Sequence, residues 1–410
     1  MPTTPPPAAP RGVAPSLPLA IALAIAPAAG VLQSKALAPI ATIGLLLTVL
    51  AHRRRHGTWP WRWDAPTGLA LGLFGWAAVT ALWALEPLRA LGTAAQIGCF
   101  VALGAAAARA VAAEAEPAKR RLMQVAALGL AAGIALAALD AATGHAVRAA
   151  VRGLKEVPVT LAFGLKPAAS AMGLWLPLVA VAPWPRALRA LALLAGAVVL
   201  VLLPGEAAKI AVLAGGLAGG LAWLAPRLAP RLLGAGLALA ILAMPLVLGP
   251  VLARGVPADG IPPSAAHRLL IWDFVTSRIA EHPIRGWGME ASRAIPGHRD
   301  HASPAALERF RLTGPGAALW LPTAELLPLH PHNGALQLWL ELGLPGALLG
   351  AGLALLLGRA AARSARPAVA TAVLAAASVT AMLSFGAWQE WWVGAELMAL
   401  AATAGLPRRG

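Results

Sequence analysis

The sequence predicts an all-α, polytopic integral membrane protein with about twelve transmembrane helices. Hydrophobic residues make up 59% of the 410 residues and charged residues only 12%, whereas soluble domains carry about 25% charged residues. Apolar runs of roughly 20 residues, the length that crosses a bilayer, also recur along the chain between charge clusters. Soluble multidomain enzymes are therefore excluded. The excess of 33 Lys and Arg over 17 Asp and Glu is expected in loops beside the membrane rather than on a nucleic-acid-binding face.

The predicted spans divide the chain into four parts, of which residues 253–332 are described below. Residues 1–14 form a proline-rich tail that is predicted to be disordered. Residues 15–252 hold spans 1 to 9, and residues 333–410 hold spans 10 to 12 with a short cytoplasmic tail. The predicted intervals are 15–32, 35–51, 66–85, 91–113, 122–142, 158–183, 190–204, 209–225, 232–252, 334–357, 368–386 and 390–406.

The orientation of the spans follows from the basic residues of the short loops, which favour the cytoplasm. When both termini are placed in the cytoplasm, every arginine-rich short loop falls on that side. The residues concerned are Arg53, Arg54, Arg55, Arg62, Lys119, Arg120, Arg121, Arg186, Arg189, Arg227, Arg231, Arg359, Arg363, Arg366, Arg408 and Arg409.

Residues 253–332, between spans 9 and 10, contain no apolar run long enough to cross a bilayer. They are predicted to form a loop domain on the outer side of the membrane. Ala266–Ala280 has the spacing of an amphipathic helix, and a second short helix is predicted over Pro304–Leu312. Because long loops in compact proteins usually carry function, this domain is expected to hold catalytic residues.

Several classes of enzyme and carrier lack support in the sequence. It contains no Walker loop, no dinucleotide-binding fingerprint and no Asp-x-Asp pair for a divalent ion. Carboxylates inside the predicted spans are scarce, with Asp140 and Glu396 the main ones, which disfavours a proton-coupled transporter. The single cysteine, Cys99, excludes a disulfide within the chain and is expected to lie in the core.

A set of basic residues lies on the predicted outer side, against the usual charge bias of membrane proteins. The planar guanidinium of arginine suits phosphate oxygens, so the set suggests an anionic ligand such as a diphosphate. Contact with lipid headgroups or a solvated loop surface is the alternative for each single residue. The set comprises Arg148, Arg152, Lys155, Lys209, Arg268, Arg285 and Arg293.

The stretch that leads into predicted span 10 reads HPHNGALQLWLELGLPG. Asn333 is a good N-cap residue, so the helix is expected to begin there and to leave His332 at its outer end. A capping and loop role is the alternative for His330 and His332. A metal site that also uses His298 and His301 is a further alternative, although nothing in the sequence fixes the spacing of these histidines.

Two sequence blocks resemble the O-antigen ligase family. His332, Asn333, nine residues and then Gly343-Leu-Pro-Gly fit the family pattern of His, then Asn, Ser or Gln, nine residues, and Gly-x-x-Gly, Thr or Tyr. Upstream, RLLIWDFVTSRIAEHPIRGWG, which begins at Arg268, is similar to the family block in which an Arg and a Trp precede His-Pro and Gly-x-Gly. The predicted topology also resembles that of the superfamily of O-antigen ligases and Wzy-type polymerases.

The resemblance implies a GT-C-like, metal-independent, inverting glycosyltransferase without a cofactor. The donor would be a glycan on undecaprenyl diphosphate, and the acceptor would be the lipid A core oligosaccharide. This step of lipopolysaccharide biosynthesis takes place on the periplasmic face of the bacterial inner membrane.

The resemblance also implies site residues. His332 and Arg268 match the family's catalytic residues, with His332 as general base or diphosphate ligand. The Ser-Arg pair that usually opens the span at 209–225 is absent. The candidate diphosphate-binding residues are Arg152, Lys209, Arg285 and Asn333.

Other functions remain open at the level of the sequence. A Wzy-type polymerase that extends an O-antigen or exopolysaccharide is the alternative within the superfamily, and a ligase that glycosylates protein is a smaller variant. A flippase or exporter of lipid-linked glycans is the alternative from another class, because it also needs many spans and a basic cavity. A flippase does not need a histidine and an arginine confined to one side of the membrane. The complete histidine motif favours a ligase over a polymerase.

Overall fold

A computed structural model describes residues 13–408 and shows sixteen α-helices among them, so the predicted all-α class is confirmed. Residues 1–12 of the predicted tail lie outside the described residues. The first eight helices are α1 Ser16–Leu32, α2 Leu37–His56, α3 Ala65–Val79, α4 Pro87–Ala112, α5 Glu116–Ala142, α6 Ala146–Val151, α7 Leu165–Trp175 and α8 Arg186–Leu202. The other eight are α9 Glu206–Leu224, α10 Ala229–Arg254, α11 Pro263–Glu281, α12 Pro304–Arg309, α13 Pro315–Ala318, α14 Gly334–Arg363, α15 Pro367–Leu383 and α16 Glu390–Ala404.

Eight helical segments of the described chain, with 18 to 30 residues each, are long and apolar enough to cross a membrane. The protein is therefore a multi-pass membrane protein. The other four predicted spans correspond to the shorter helices α1, α8, α15 and α16, which have 15 to 17 residues. Predicted span 6 is divided, because 3-10 turns at Val159–Gly164 and Leu176–Val181 flank α7. The count of twelve spans stays a prediction.

Large apolar side chains cover the outer surfaces of α8, α9 and α10. Leu194, Leu213 and Leu239 are 65%, 65% and 67% exposed. Contiguous exposed apolar surface is unfavourable in water but is expected where a helix contacts lipid chains. These helices therefore present a lipid-facing surface.

Helices α10 and α14 lie close together because small residues line their contact. A Cβ atom added to Gly234 would lie only 2.8 Å from the carbonyl oxygen of Ala354, so only glycine fits there. Trp339 Nε1 donates a hydrogen bond to the carbonyl oxygen of Ile241 over 2.8 Å. These contacts fix the first half of α14, which carries the histidine motif at its start.

The segment from 253 to 332 contains the predicted amphipathic helix, which is confirmed as α11. This helix begins at Pro263, earlier than predicted, because proline suits the first turn of a helix. Its buried face, which includes Ile271, Val275 and Ile279, lies against α10 and α14. Part of residues 253–332, called the outer segment below after its predicted side, is thus fixed against two of the helices that are candidates to span the membrane.

Two local predictions need correction. The helix predicted over Pro304–Leu312 ends at Arg309, because Arg311 adopts a left-handed conformation with φ +55° that turns the chain. Cys99 is exposed on α4 rather than buried in the core. Its sequence neighbours on either side are buried, and successive residues of a helix point in different directions.

Candidate active site

Helix α11 is attached to the turn that precedes α14. Trp272 Nε1 donates a hydrogen bond to the carbonyl oxygen of Pro331 over 2.8 Å. Arg268 lies four residues before Trp272, and side chains with this spacing share a helix face. The positive charge of Arg268 lowers the pKa of both His330 and His332. The Arg-Trp block of the sequence therefore brings Arg268 to the His-Pro-His turn.

The backbone of His332 adopts a left-handed conformation, with φ +55°, which is uncommon for a residue with a side chain. Its N–H donates to Nδ1 of His330 over 3.2 Å. On the other side, Asn333 is the N-cap of α14, and its Oδ1 accepts from the N–H of Leu336 over 3.0 Å. The predicted cap is thus confirmed, and the turn before it holds His332 in one orientation.

The imidazole of His332 has a defined tautomer. Its Nδ1 lies 2.5 Å from the carbonyl oxygen of Ser384, at the end of α15. Because a carbonyl oxygen only accepts hydrogen bonds, Nδ1 carries the proton. Nε2 is then the nitrogen with a free lone pair, and it has no hydrogen-bond partner within residues 13–408. A ring held in this way is suited to accept a proton at Nε2.

Burial is the main cause that lowers the pKa of the His332 imidazole to about 4. The hydrogen bond to Ser384 acts in the opposite direction, and the nearby Arg268, His267 and Lys166 lower the pKa further. The ring is therefore neutral at pH 7 in the free protein. This is the protonation state that a general base requires.

Arg268 and Lys166 are two cations near His332 that the protein itself does not neutralise. Both are partly buried, and neither forms an ion pair or a hydrogen bond within the described part of the chain. The Lys166 ammonium lies 4.4 Å from the centroid of the Phe163 ring. Burial lowers the pKa of the Arg268 guanidinium. Because a partly buried cation without a counter-ion is costly, the pair favours an anionic ligand.

His330 supports His332 from the other side. It is 5% exposed, and its ring centroid lies 4.2 Å from that of His332. Burial is the first cause that lowers the pKa of His330 to about 3, so this ring is neutral as well. Since its Nδ1 accepts the His332 N–H, His330 stabilises the left-handed turn.

The Gly-Leu-Pro-Gly part of the motif is a break in α14. Gly343 has φ +62° and ψ −161°, and Pro345 has no N–H to donate, so three carbonyls of the helix lose their usual partners. Donors from outside the helix replace them. The pairs are Trp287 N–H with Leu340 O, Gly288 N–H with Glu341 O, and Trp76 Nε1 with Leu342 O. The Gly-Trp-Gly block and the glycine motif thus form one contact that fixes the outer segment on α14.

No contact of the described chain gathers the other predicted diphosphate ligands around His332. Lys209 forms an ion pair with Glu206 at 2.8 Å. Arg152 is exposed and donates a hydrogen bond to the carbonyl oxygen of Leu32 over 3.0 Å. Both side chains therefore have protein partners.

Arg285 and Asn333 differ from Lys209 and Arg152. Arg285 is exposed, and it has no hydrogen-bond or ion-pair partner from residue 13 to residue 408. The Oδ1 atom of Asn333 is already occupied by the helix cap. Binding of a diphosphate by Arg152, Lys209, Arg285 and Asn333 stays a prediction.

Arg148 does not face an anionic ligand, in contrast to what its position in the sequence suggests. It is fully buried and forms an ion pair with Asp140 at 2.7 Å. Its Nη1 donates to the carbonyl oxygen of Leu161 over 2.7 Å. Arg148 therefore holds the segment that leads into α7, where Lys166 lies.

His298, His301, His330 and His332 are not grouped as a metal centre within the described residues. His298 Nδ1 and His301 Nε2 lie 2.9 Å from the carbonyl oxygens of Ile295 and Pro322. Within the described residues, no three His, Cys, Asp or Glu side chains are grouped as metal ligands.

The predictions from the sequence do not include Lys166 or Ser384. They also do not include the contact by which His330 supports His332. Lys166 is a lone basic residue inside a predicted span, and such residues usually serve function, so the sequence did contain a signal for it. Ser384 contributes only a backbone carbonyl, which any residue supplies. Its position is therefore visible only in the fold.

Known proteins support the motif assignment over the central part of the chain. Residues 190–351 match the family model described as "O-Antigen ligase". A "Putative polysaccharide ligase" of Rickettsia conorii is 32% identical over 174 residues, which cover 39% of this chain and 39% of that protein. A protein of the same description from Rickettsia bellii is 32% identical over 171 residues, covering 40% of this chain and 38% of that protein.

The chain covers only about 39% of the length of these curated relatives. No solved structure matches it significantly. The matched interval includes Arg268, the Gly-Trp-Gly block and the whole motif from His332 to Gly346. Residues 190–351 are therefore similar to the O-antigen ligase domain that the motifs of the chain also resemble.

Proposed function

We propose that this protein is an O-antigen ligase. It moves a glycan from undecaprenyl diphosphate to the lipid A core oligosaccharide on the periplasmic face of the bacterial inner membrane, as a metal-independent, inverting glycosyltransferase. The observation that carries the proposal is the free Nε2 of the neutral His332 beside the unpaired cations Arg268 and Lys166. A base and fixed positive charges side by side suit transfer from a lipid diphosphate to a hydroxyl group.

In the proposed reaction, His332 acts on the acceptor. Nε2 takes the proton of the acceptor hydroxyl, whose oxygen forms a bond to the anomeric carbon of the donor from the face opposite the diphosphate. The bond between the anomeric carbon and the phosphate oxygen breaks, and its electron pair stays on the diphosphate. The imidazolium that forms keeps its Nδ1–H on the Ser384 carbonyl, at the negative end of α15.

The cations act on the leaving group. Arg268 offers two parallel N–H donors to the diphosphate oxygens, and Lys166 adds a compact charge. Because both side chains are partly buried, their attraction to developing negative charge is weakly screened by water. Lys209, which is tied to Glu206, and the exposed Arg152 and Arg285 are proposed as secondary contacts with the donor.

The pH dependence should separate a base from an imidazolium that binds the diphosphate. Neutral His332 predominates above its pKa of about 4. We therefore expect kcat/KM, which reports the free enzyme, to stay level from roughly pH 8 to about pH 5 and to fall towards pH 4, rather than near the reference value of about 6.5. Initial rates across this range measure it. A rate that rises as the pH falls from about 7 to about 5 would contradict the base role.

Transfer should survive removal of divalent ions. We expect protein purified into lipid nanodiscs to form glycosylated lipid A core and to release undecaprenyl diphosphate at the same rate with and without EDTA. The reason is that Arg268 and Lys166 supply the positive charge that a metal would otherwise bring. Loss of transfer in EDTA, with recovery on added magnesium or zinc, would overturn the proposed role of the cations.

Twelve spans with both termini in the cytoplasm are proposed as the topology, which places residues 253–332 in the periplasm. Reporter fusions after Pro257 and after Arg363 should then report periplasm and cytoplasm respectively, because the arginine-rich short loops favour the cytoplasm. Fusions to periplasmic alkaline phosphatase and cytoplasmic green fluorescent protein make the measurement. The same side for both sites would disprove this topology.

A further inference from the structure

A polar cavity of about 410 Å³ lies next to His330. Its wall comes from residues 35 and 38, α4, the turn at 290–293, residues 329–330, the start of α14 and residues 386–391, and it includes neither His332 nor Arg268. The volume falls within the range of small-molecule sites, roughly 300–1,000 Å³. The site described above does not use this cavity.

The cavity wall carries three basic and three acidic side chains, so its charges balance. Glu290 lies 3.2 Å from both Arg89 and Arg293. Glu390 accepts a hydrogen bond from a glutamine of α4 over 2.8 Å. Lys35 is exposed, and it is the one cation of the wall without a partner among the described residues. The cavity therefore offers little net charge to a ligand, in contrast to the unpaired cations near the catalytic imidazole.

A buried carboxylate fixes the aromatic side of the wall. Glu341 is fully buried, and both its oxygens accept hydrogen bonds. The donors, at 2.5 to 3.1 Å, are the Glu290 N–H, Ser292 Oγ, Gln337 Nε2 and Trp388 Nε1. Because four donors already occupy this carboxylate, Glu341 holds Trp388 and the turn at 290–293 in place rather than binding a ligand.

Trp391 and Gln389 are side chains of the wall that remain available for a ligand. The Trp391 ring is partly exposed and is held by Phe385, with the ring centroids 4.6 Å apart. Gln389 Oε1 is buried and has no hydrogen-bond partner in the described chain. An indole ring can stack on the C–H face of a sugar, and an unpaired buried oxygen is costly unless a hydroxyl group donates to it.

We infer that this cavity holds the sugar residues of the acceptor, as an uncharged saccharide, while the lipid diphosphate lies at Arg268 and Lys166. The inference rests on the proposed transfer at His332. His330 belongs to the cavity wall, and its ring centroid lies 4.2 Å from that of His332, so a hydroxyl of a sugar in the cavity is placed near the base. Trp391 and Gln389 are then specificity-determining residues for the acceptor.

The test varies the two substrates separately in nanodisc assays, with undecaprenyl-diphosphate-linked glycan as donor and lipid A core as acceptor. Trp391→Ala and Gln389→Ala should raise the KM for the acceptor by about threefold to tenfold, the usual effect of one lost stacking or hydrogen-bond contact. The KM for the donor and kcat should change by less than about twofold by the same reasoning. Trp391→Phe should recover part of the acceptor affinity.

Trp223→Ala and Gln124→Ala, on exposed surfaces of α9 and α5, are the matched controls and should leave both KM values unchanged. A rise in the donor KM alone would overturn the inference and assign the cavity to the donor glycan. Unchanged KM values in both cavity variants would also overturn it, while transfer by His332 would stand. If Trp391→Ala fails to accumulate, Gln389→Ala and Trp391→Phe decide. Absence of transfer in the unmodified protein would instead be a failure of the proposed function.

Discussion

Replacement of His332 with alanine should reduce glycan transfer to background, by about a hundredfold to ten-thousandfold, the usual loss when a general base is removed. The only nitrogen of this ring with a free lone pair is Nε2, because the Nδ1–H donates a hydrogen bond to the carbonyl oxygen of Ser384. With this ring absent, no neutral base remains in the same place, since Nδ1 of His330 is already occupied by a backbone N–H. Rates of transfer by purified protein measure the effect.

A second variant separates base chemistry from local structure. Asparagine tolerates the left-handed backbone of position 332, and its amide can still donate to the Ser384 carbonyl, but it cannot take a proton at neutral pH. His332→Asn should therefore be as inactive as His332→Ala at a normal protein level. His301→Ala, an exposed loop histidine, is the control and should stay active. Wild-type rates in His332→Asn would remove His332 from catalysis.

Arg268→Ala should lower kcat by about a hundredfold to a thousandfold, the usual effect of removing one group that stabilises transition-state charge. Arg268 lies one turn before the Trp272 anchor and has no ion-pair partner in the described chain, so its charge is available to the leaving diphosphate. Arg268→Lys should restore part of the activity, because a single ammonium does not reproduce two parallel hydrogen bonds.

The matched control for this variant is Arg299→Ala, which removes an exposed arginine of the same outer segment. It should leave kcat and both KM values near those of the unmodified protein. Single-turnover kinetics with saturating donor distinguish a slower chemical step from weaker binding. Full single-turnover activity in Arg268→Ala, at a normal protein level, would show that Arg268 is only a loop charge.

The start of α14 was predictable from the sequence because its determinants are local. Asn333 is a typical cap followed by an apolar helical stretch, and the histidine motif precedes it directly. Helix α11 was predictable for the same reason, from the spacing of its apolar residues. The residues that determine both elements lie within about one or two helical turns of each other in the sequence.

The rest of the site depends on contacts between distant parts of the chain. Ser384 reaches the imidazole of His332 from a position 52 residues away in the sequence, and it does so through a backbone carbonyl that has no residue preference. The sequence predicts Lys209 as a ligand for the diphosphate, yet Lys209 pairs with Glu206 one turn earlier on the same helix. Only the fold shows that the charge of Lys166, like that of Arg268, reaches His332.

The spacing of the family motif has a physical explanation in this chain. His332 directly precedes the N-cap of α14, and Gly343 lies where the helix breaks and the carbonyls of Leu340 and Glu341 accept from the N–H groups of Trp287 and Gly288. The first position thus carries an imidazole nitrogen with a free lone pair, and the second fixes the segment that carries Arg268. Because the motif fixes the number of residues between His332 and Gly343, it also fixes the distance between the imidazole and the break along the helix.

The most direct test of O-antigen ligation is glycolipid analysis of a bacterial strain from which the gene for this protein is deleted. Mass spectrometry of lipid A core should show that all polymer is lost from the core, while the glycan accumulates on undecaprenyl diphosphate. Expression of the unmodified gene should restore the polymer, and expression of His332→Asn should not. Retention of single repeat units on the core in the deletion strain would contradict ligation and would indicate a polymerase instead.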